Sequence, residues 1–390
     1  MYLMIAMVLA LAPTVVGAAS ARLELGEAHP AGAQAAPNTR FITVEGGSLS
    51  SRLETALARG RSSSAERFWA AYAFDVRPGV AVDVVYQSKE GGTVVSTFGV
   101  SSGEHETRNL AVFALFTKAG GAPVRLEIYN LDRARDYDNL PVYWLGRSAT
   151  DESLSLLERF VAPGAAEKVA EHAVAAIGIH DGSRPADLLE SIVRSSNATS
   201  VRKTAAIWIG ITTERTGFLS GVVRDANEPA ELRREAATAI GIGGAPDAIS
   251  TLRGLYGDLE SRDLRQHVIT AVAIHGDKKG SESDAVDFIV EVATNEKDRE
   301  LRRHALFWLS QKAGKRSLDV ISEAVNADDE DVAEHAVFAL GQRPKDEAIP
   351  ALMNVARNHR SHEVRKKALF WLSQIDDDRV VAFFKEVLER

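Results

Sequence analysis

Residues Leu301–Ser310 spell LRRHALFWLS, and this pattern decides the fold. Close variants follow at Val332–Gly341 (VAEHAVFALG) and at Val364–Ser373 (VRKKALFWLS). Each variant has an aliphatic residue, three mostly polar residues, a small apolar residue and a further apolar run, usually closed by Gly or Ser. Apolar residues at the first, fifth, sixth and ninth positions lie on one side of an α-helix. The pattern therefore predicts an amphipathic helix with a defined core side.

Four earlier copies precede these three. They are Val169–Gly178, Val201–Gly210, Leu232–Gly241 and Leu264–Ala273. Successive copies start 32, 31, 32, 37, 31 and 32 residues apart, and a second amphipathic segment, such as Ala245–Leu259, lies between them. Each period is therefore predicted to be a helix–turn–helix unit that buries its apolar side by stacking on its neighbours. Lys278–Ser283 is predicted to be an insertion in the longest interval, and residues 378–390 to be a capping helix.

Five copies begin with an aliphatic residue followed by Arg. The pairs are Val201-Arg202, Leu232-Arg233, Leu264-Arg265, Leu301-Arg302 and Val364-Arg365. With the period of about 32 residues, this start resembles the HEAT-repeat family, in particular the short HEAT-like repeats also found in phycobilisome lyases. The resemblance covers residues 151–390 and implies an α-α superhelix, a HEAT-like α-solenoid of about seven repeats. It implies little about function, because such solenoids serve as scaffolds, adaptors and a few enzymes.

Residues 41–147 are predicted to form a small, mainly β domain before the solenoid. Alternating or β-rich runs at Phe68–Val76, Val80–Tyr86 and Thr93–Val100 are followed by further runs at Asn109–Thr117, Pro123–Leu131 and Pro141–Leu145. Gly120-Gly121 between two runs indicates a hairpin, and Leu49–Ala58 indicates a helix. Short strands at this spacing favour a mainly antiparallel sheet or sandwich.

The N-terminus predicts export. Leu3–Val16 is a 14-residue apolar stretch, followed by Ala19 and Ala21 in the spacing of a cleavage site. The stretch is too short for a spanning helix, which needs about 20 residues, although no Lys or Arg precedes it and an uncleaved anchor stays an alternative. Residues 1–21 are therefore predicted to be a signal peptide and residues 22–40 a linker. We expect a periplasmic, cell-envelope or secreted protein with no integral membrane span in the mature chain.

Composition and charge exclude several classes of function. The chain has no cysteine, which excludes disulfides, thiolate metal sites and cysteine nucleophiles. The net charge of −8 arises entirely after Thr150, and no basic face of the kind that nucleic-acid binding requires is evident. No phosphate-binding loop, HExxH zinc motif or Gly-x-Ser-x-Gly motif occurs. We therefore expect no nucleic-acid partner, no cofactor and no enzyme activity.

Histidine occupies the fourth position of four copies. These residues are His172, His267, His304 and His335. Deoxyhypusine hydroxylase, a HEAT-like enzyme class, binds two irons with His-Glu pairs on equivalent helices, so the resemblance raises the question of a metal site. Here the order is reversed in Glu171-His172 and Glu334-His335, which turns each carboxylate by about 100° around its helix. We therefore predict no metal site in the helices, and an ordinary solvated loop at Asp132–Asn139, whose alternating acids lack the glycine of a calcium loop.

The sequence also predicts a binding surface opposite the core side. The third, fourth, seventh and eleventh positions of the last three copies repeat a polar or cationic pair, a Phe and a Gln. The predicted partner-binding residues are Arg303, His304, Phe307, Gln311, His335, Phe338, Gln342, Lys367, Phe370 and Gln374. Packing between repeats is the alternative explanation for the phenylalanines, and for Trp208, Trp308 and Trp371 at the eighth position. A repeated Gln has no such explanation, so these residues are predicted to form a groove for a peptide.

The most favoured function is an exported, non-enzymatic scaffold or adaptor that binds a protein or peptide partner. One alternative is an enzyme or cofactor-handling protein, lyase-like or hydroxylase-like, with its site in the β-domain or the interdomain cleft. No set of nucleophile, base and acid is evident for such a site in Phe41–Arg147, which contains a single histidine, His105. A purely architectural envelope protein that presents the β-domain is the other alternative.

Overall fold

The structure, a computed structural model, describes residues 41–82, 84–87, 93–96, 99–100, 106–195, 197–278, 280–312 and 314–388. The predicted signal peptide at residues 1–21, the predicted linker at residues 22–40 and His105 lie outside the described residues. The chain divides into two compact units, the first ending at Thr212 and the second beginning at Thr213. Each unit has its own set of elements and its own core.

The first unit begins with nine strands and one helix. The strands are β1 (Ile42–Thr43), β2 (Arg67–Ala73), β3 (Val80–Ala81), β4 (Val84–Gln87), β5 (Thr93–Ser96), β6 (Gly99–Val100), β7 (Leu110–Thr117), β8 (Arg125–Asn130) and β9 (Val142–Arg147). Five of them form one sheet in the order β1-β9-β2-β7-β8, and β3-β6 and β4-β5 form two small pairs. The predicted mainly β region and its strand runs are confirmed, with the runs at Val80–Tyr86 and Thr93–Val100 each divided into two strands.

The main sheet is mixed: two of its strand pairings are antiparallel, as predicted, and two are parallel. β2 and β8 are antiparallel to β7, whereas β9 is parallel to both β1 and β2. The cause is helix α1 (Leu49–Ser62), which carries the chain from β1 to β2. Such a crossover lets two strands run in the same direction, and β9 inserts between them.

The two faces of the sheet are covered differently. Helix α1 packs on β2 and β9, and a Cβ added to its Gly60 would lie 2.3 Å from the Phe68 ring, so only glycine allows this close approach. The opposite face carries an aromatic core. Its rings are Phe41, Trp69, Phe113, Tyr129, Tyr137 and Trp144.

Four helices complete the first unit. They are α2 (Thr150–Val161), α3 (Glu167–Gly178), α4 (Arg184–Arg194) and α5 (Thr199–Thr212). The change from strands to helices falls between Arg147 and Thr150, as the sequence pattern indicates. The compact unit nevertheless extends to Thr212, because these helices bond to the strand region. Arg77 Nη1 donates to the Thr212 carbonyl at 3.0 Å, and Ser153 Oγ lies 3.0 Å from Tyr72 Oη.

The elements described in the second unit are all helices. Its helices are α6 (Thr216–Arg224), α7 (Ala230–Ile242), α8 (Ala248–Asp258), α9 (Arg262–His275), α10 (Glu282–Asn295), α11 (Arg299–Ser310), α12 (Lys315–Ala324), α13 (Glu330–Gly341), α14 (Lys345–Asn358), α15 (His362–Ser373) and α16 (Asp378–Leu388). The seven helices predicted from the repeated pattern are α3, α5, α7, α9, α11, α13 and α15, and all seven are confirmed. We call them the motif helices.

Each motif helix buries the side that the pattern assigns to the core. In α11, Leu301, Ala305, Leu306 and Leu309 have no solvent exposure. Successive motif helices of the second unit pack directly on one another, α7 on α9, α9 on α11, α11 on α13 and α13 on α15. Among the described residues, no helix combines the length and apolar character that crossing a membrane requires.

Candidate protein-binding surface

The ten predicted partner-binding residues belong to α11, α13 and α15. We call the side formed by the third, fourth, seventh and eleventh positions of these helices the partner face. Its phenylalanines are outside the fully buried core: Phe307 and Phe338 are half-buried, and Phe370 is 52% exposed. The face therefore becomes more open toward α15, where a large apolar ring is in contact with water.

The glutamines mark the C-terminal ends of the three helices. Gln311, Gln342 and Gln374 are the C-cap residues of α11, α13 and α15, and all three are exposed. The side-chain nitrogens of Gln311 and Gln374 donate to the hydroxyl of the preceding serine at 3.0 and 3.2 Å. These bonds hold the two amides close to the helix end and leave the amide oxygen of each on the surface.

The third and fourth positions connect neighbouring repeats. Arg303 of α11 donates to Nε2 of His335 in α13, and Lys367 of α15 lies 3.6 Å from a carboxylate oxygen of Glu334 in α13. Burial and the Arg303 guanidinium both lower the pKa of His335. The structure thus brings these predicted residues together, but in contacts between repeats as well as at the surface.

His304 is the most enclosed of the predicted residues. Its Nε2 lies 2.9 Å from Thr270 Oγ1 of α9 and accepts from Trp308 Nε1 at 3.2 Å. An indole N–H can only donate, so Nε2 must be unprotonated to receive it. Burial, with a smaller contribution from His267, lowers the pKa of His304 to about 4. His304 is thus a neutral acceptor that orients Trp308.

Two of the tryptophans fill space against a glycine of the preceding repeat. A Cβ on Gly178 would lie 2.5 Å from the Trp208 ring, and one on Gly341 would lie 3.1 Å from the Trp371 ring. In each case the glycine is the tenth residue of one copy of the pattern and the tryptophan is the eighth of the next. For Trp208 and Trp371, the packing explanation that the sequence leaves open is therefore correct.

Three buried basic residues that the sequence pattern did not single out join repeats of the second unit. They stand at the twelfth position of their copy, at the last residue of the motif helix for His275 and just after the helix for Lys312 and Arg343. His275 Nδ1 lies 3.2 Å from the Gly241 carbonyl, Lys312 Nζ donates to the Ala273 carbonyl at 2.6 Å, and Arg343 donates to the Lys312 carbonyl. Each acts at the C-terminal end of the preceding motif helix, where the helix dipole favours the positive charges of Lys312 and Arg343. Burial lowers the pKa of His275. A His, Lys or Arg at the twelfth position of a copy is the sequence signal that could have revealed them.

The arginine of the aliphatic-Arg start also has a structural partner. In four copies it donates to the carbonyl at the end of the intervening helix of the same repeat. The pairs are Arg202 with Val193, Arg233 with Val223, Arg302 with Glu296 and Arg365 with His359. This bond satisfies a carbonyl that a helix end leaves unpaired, so these arginines hold each repeat together.

The first unit contains a Ser–His pair that resembles a nucleophile and its base. Ser153 Oγ lies 2.7 Å from His180 Nε2 and also contacts the hydroxyl of Tyr72. All three side chains are almost completely buried, His180 stacks on Phe74, and burial lowers the pKa of His180 to about 4. The pair is closed to a substrate, so it joins strand and helices and does not form an active site.

The histidines and acidic residues that were weighed as metal ligands have other partners in the described residues. His172 bonds to the Leu126 carbonyl of β8, far along the chain from the other three histidines. In the loop Asp132–Asn139, Asp132 accepts from Asn109 and Asp138 pairs with Arg125 at 3.1 Å. No group of His, Asp and Glu side chains in the described part of the chain is close enough to hold a metal ion.

Lys278, Gly280 and Ser281 of the predicted insertion line a cavity of about 580 Å³ between α8 and α10. The charged residues that line it are Arg253, Lys278, Asp284 and Asp287. Arg253 pairs with Glu291 at 3.1 Å, and Asp287 pairs with Arg316. With charges of both signs, the cavity does not indicate one class of ligand.

The helical period, the core side and the contacts between repeats agree with the comparison to known families. Residues 218–310 and 317–390 match a family model described as HEAT repeats. The C-terminal part of this chain is a HEAT-like solenoid. A search of curated proteins finds no match.

Several solved structures contain similar HEAT-like helices. Human deoxyhypusine hydroxylase in complex with glycerol is 17% identical, over 61% of this chain and 90% of that one, with a TM-score of 0.31. YibA of Escherichia coli is 19% identical, over 58% and 82%, with a TM-score of 0.33. The CpcE–CpcF complex of phycocyanin lyase from Nostoc sp. is 15% identical, over 60% and 92%, with a TM-score of 0.29. These likenesses are too distant to assign an activity.

Proposed function

We propose that the HEAT-like repeats form a non-enzymatic scaffold or adaptor that binds an extended segment of a protein partner along the partner face. The observation that carries this proposal is the register of Phe307, Phe338 and Phe370. They stand at the same position of three consecutive motif helices, on the side away from the fully buried core, and Phe370 is half exposed. A ring needed only for the core would be buried in every copy.

The chemistry of the face suits a peptide. Phe offers a large apolar contact area with little side-chain entropy to lose. The exposed glutamines offer amide donors and acceptors that match an unpaired peptide backbone. Packed helices lie about 10 Å apart, and an extended chain spans about 3.3 Å per residue. A bound segment would therefore place every third residue near the next repeat.

Export is part of the same proposal and rests on Leu3–Val16 with Ala19 and Ala21. Expression of the full chain with its N-terminus, followed by mass spectrometry of the exported protein, tests it. A mature N-terminus after Ala21 supports export with cleavage, whereas a full-length chain that stays in the cytoplasm contradicts it. In this proposal the mainly β region serves as a second docking module. If binding is lost only when residues 41–147 are removed, the binding site belongs to that region instead.

Binding through the partner face is tested with two triple variants of the full chain. One replaces Phe307, Phe338 and Phe370 with Ala, and the other replaces the three glutamines with Ala. A matched control replaces exposed residues of intervening helices, Lys315, Glu323 and Asn354, with Ala.

We expect both test variants to lose the partner that the wild-type chain captures, while the control retains it and circular dichroism shows intact helices in all three. If the Phe variant unfolds and the Gln variant binds normally, the phenylalanines belong to the core and the proposal fails.

A further inference from the structure

Helices α11 and α15 share the sequence ALFWLS, yet their tryptophans are in different chemical situations. Trp308 and Trp371 both occupy the eighth position, and both contact the phenylalanine that precedes them, at 5.5 and 5.3 Å between ring centroids. One helical turn earlier, at the fourth position, α11 has His304 and α15 has Lys367. This single difference decides what each indole N–H can bond to.

The N–H of Trp308 has an acceptor within its own helix, since Nε2 of His304 receives it at 3.2 Å. The N–H of Trp371 is shielded from solvent and has no hydrogen-bond partner among the described residues. Lys367 cannot provide one, because an ammonium group has no acceptor. A buried donor without a partner lowers the free energy of unfolding by about 1–3 kcal/mol. The unpaired indole N–H therefore destabilises α15, whereas the indole N–H of α11 is paired.

This unpaired donor stands at the eighth position, next to Phe370, the most exposed ring of the partner face. The Trp371 ring contacts Phe338 at 5.2 Å and the half-exposed ring of Phe370. Two lysines precede it on α15: Lys366 is 3.5 Å from Glu363, and Lys367, one helical turn before Trp371, is 3.6 Å from Glu334. Pairs this long between exposed side chains are weak, so both lysines can turn toward another carboxylate.

We propose that Trp371, Phe370 and Lys367 form a docking point for an acidic segment of a protein partner. A carboxylate of the segment accepts from Trp371 Nε1 beside the Lys367 ammonium, and a neighbouring apolar side chain covers Phe370. The exposed Phe370 ring shields the indole and rotates aside to admit the carboxylate. This inference rests on the proposed scaffold function and adds the chemical class of the bound segment.

The probe is the peptide acetyl-Leu-Asp-Leu-Asp-Leu-amide, with the Asn analogue acetyl-Leu-Asn-Leu-Asn-Leu-amide as its uncharged match. Indole N–H resonances of the ¹⁵N-labelled full chain are followed by NMR and assigned with Trp308→Phe and Trp371→Phe. We expect the Asp peptide to shift the Trp371 resonance and to leave Trp308 unmoved. We expect the Asn peptide to bind about tenfold more weakly, because charge-assisted hydrogen bonds are the stronger ones. Equal shifts from both peptides, equal shifts of both indoles, or an unmoved Trp371 resonance would each overturn the proposal.

The variant Lys367→His provides a second test, since it gives α15 the acceptor that α11 has. We expect it to raise the melting temperature and to abolish the response of Trp371 to the Asp peptide. Lys366→His is the control: it removes the same charge from the neighbouring residue, at the third position. If the two variants weaken binding equally, loss of charge explains the effect and the indole N–H is not involved.

The inference and the scaffold function can fail separately. If a partner requires Phe307 and Phe338 but binds the Lys367→His variant as tightly as the wild type, the acidic docking point is wrong. The scaffold function is then still supported. Loss of the Asp-peptide response in Lys367→His, together with full partner binding by a double Phe307→Ala, Phe338→Ala variant that keeps Phe370, supports the docking point and contradicts the proposed groove.

Discussion

The sheet of the first unit and the motif helices of the second are held together over very different distances along the chain. β1 pairs with β9 about 100 residues later, and β9 in turn lies beside β2. A motif helix of the second unit instead packs on the next motif helix, one repeat along the chain. Damage to the sheet should therefore spread through all its strands, whereas damage to a repeat should decay with the number of repeats crossed.

The largest effect is expected from Ala305→Glu in α11. Ala305 has no solvent exposure and lies on the core side, so the variant buries a carboxylate without a partner. We expect a loss of about 5 kcal/mol in the free energy of unfolding of the repeats around α11. Hydrogen exchange should rise most in α9, α11 and α13 and least in the β-strands. A variant that melts like the wild type would show that the core side is wrongly assigned.

Trp69→Ala tests the sheet in the same way. The side chain is fully buried in the aromatic core, and its indole donates to the Tyr137 carbonyl at 3.0 Å. Truncation of a buried Trp costs about 3–5 kcal/mol. Faster hydrogen exchange is expected together in β1, β2, β7 and β9, despite their separation in sequence. If faster hydrogen exchange were confined to β2, damage to the sheet would not spread through its strands, and the two regions would not differ in this respect.

A smaller effect is expected from Lys312→Met, which cuts one connection between repeats and leaves the apolar packing in place. The ammonium group donates to the Ala273 carbonyl and pairs with Asp277, which is mostly exposed and remains solvated in the variant. We expect a loss of about 2 kcal/mol, the size of a charge-assisted hydrogen bond at a helix end. Urea unfolding measures it, with Lys315→Met, at a fully exposed lysine, as the control. Equal midpoints for the two variants would show that Lys312 does not couple the repeats.

The smallest effect on stability is expected from lowering the pH, through protonation of His304. His304 has a folded-state pKa of about 4, below the value of about 6.5 expected in an unfolded chain. The unfolded chain therefore binds the proton first as the pH falls, so the stabilising contribution is complete above pH 6.5 and is lost progressively between pH 6.5 and pH 4.

His304→Gln supplies an amide oxygen for Trp308 and does not titrate, so it serves as the matched reference. Between pH 7.5 and pH 5, we expect the wild type to lose about 1–2 kcal/mol more stability than this variant. Parallel pH profiles from urea unfolding would mean that His304 is open to protonation in the folded state.

The helical periodicity shows what the sequence determines about each repeat. Periodicity alone predicted all seven motif helices, their core side and the location of Phe307, Phe338 and Phe370 away from the fully buried core. These properties depend on residues three or four apart, whose relative direction is set by the helix itself. The change from the two-residue alternation of strands to the periodicity of helices likewise marks the boundary near Thr150.

The tertiary structure decided everything that depends on the neighbouring repeat or on a distant strand. β9 is parallel to its neighbours because α1 crosses between β1 and β2, and the sequence pattern of a strand does not record its direction. Lys312 and Arg343 are buried because they meet helix ends 39 and 31 residues earlier in the chain. Trp371 meets Gly341 and Phe338 of the preceding repeat. The sequence by itself determined the helices and their faces. Only packing decided that one indole has an acceptor and the other has none, because the solvent shielding and the partners of a buried group depend on residues brought together from separate repeats.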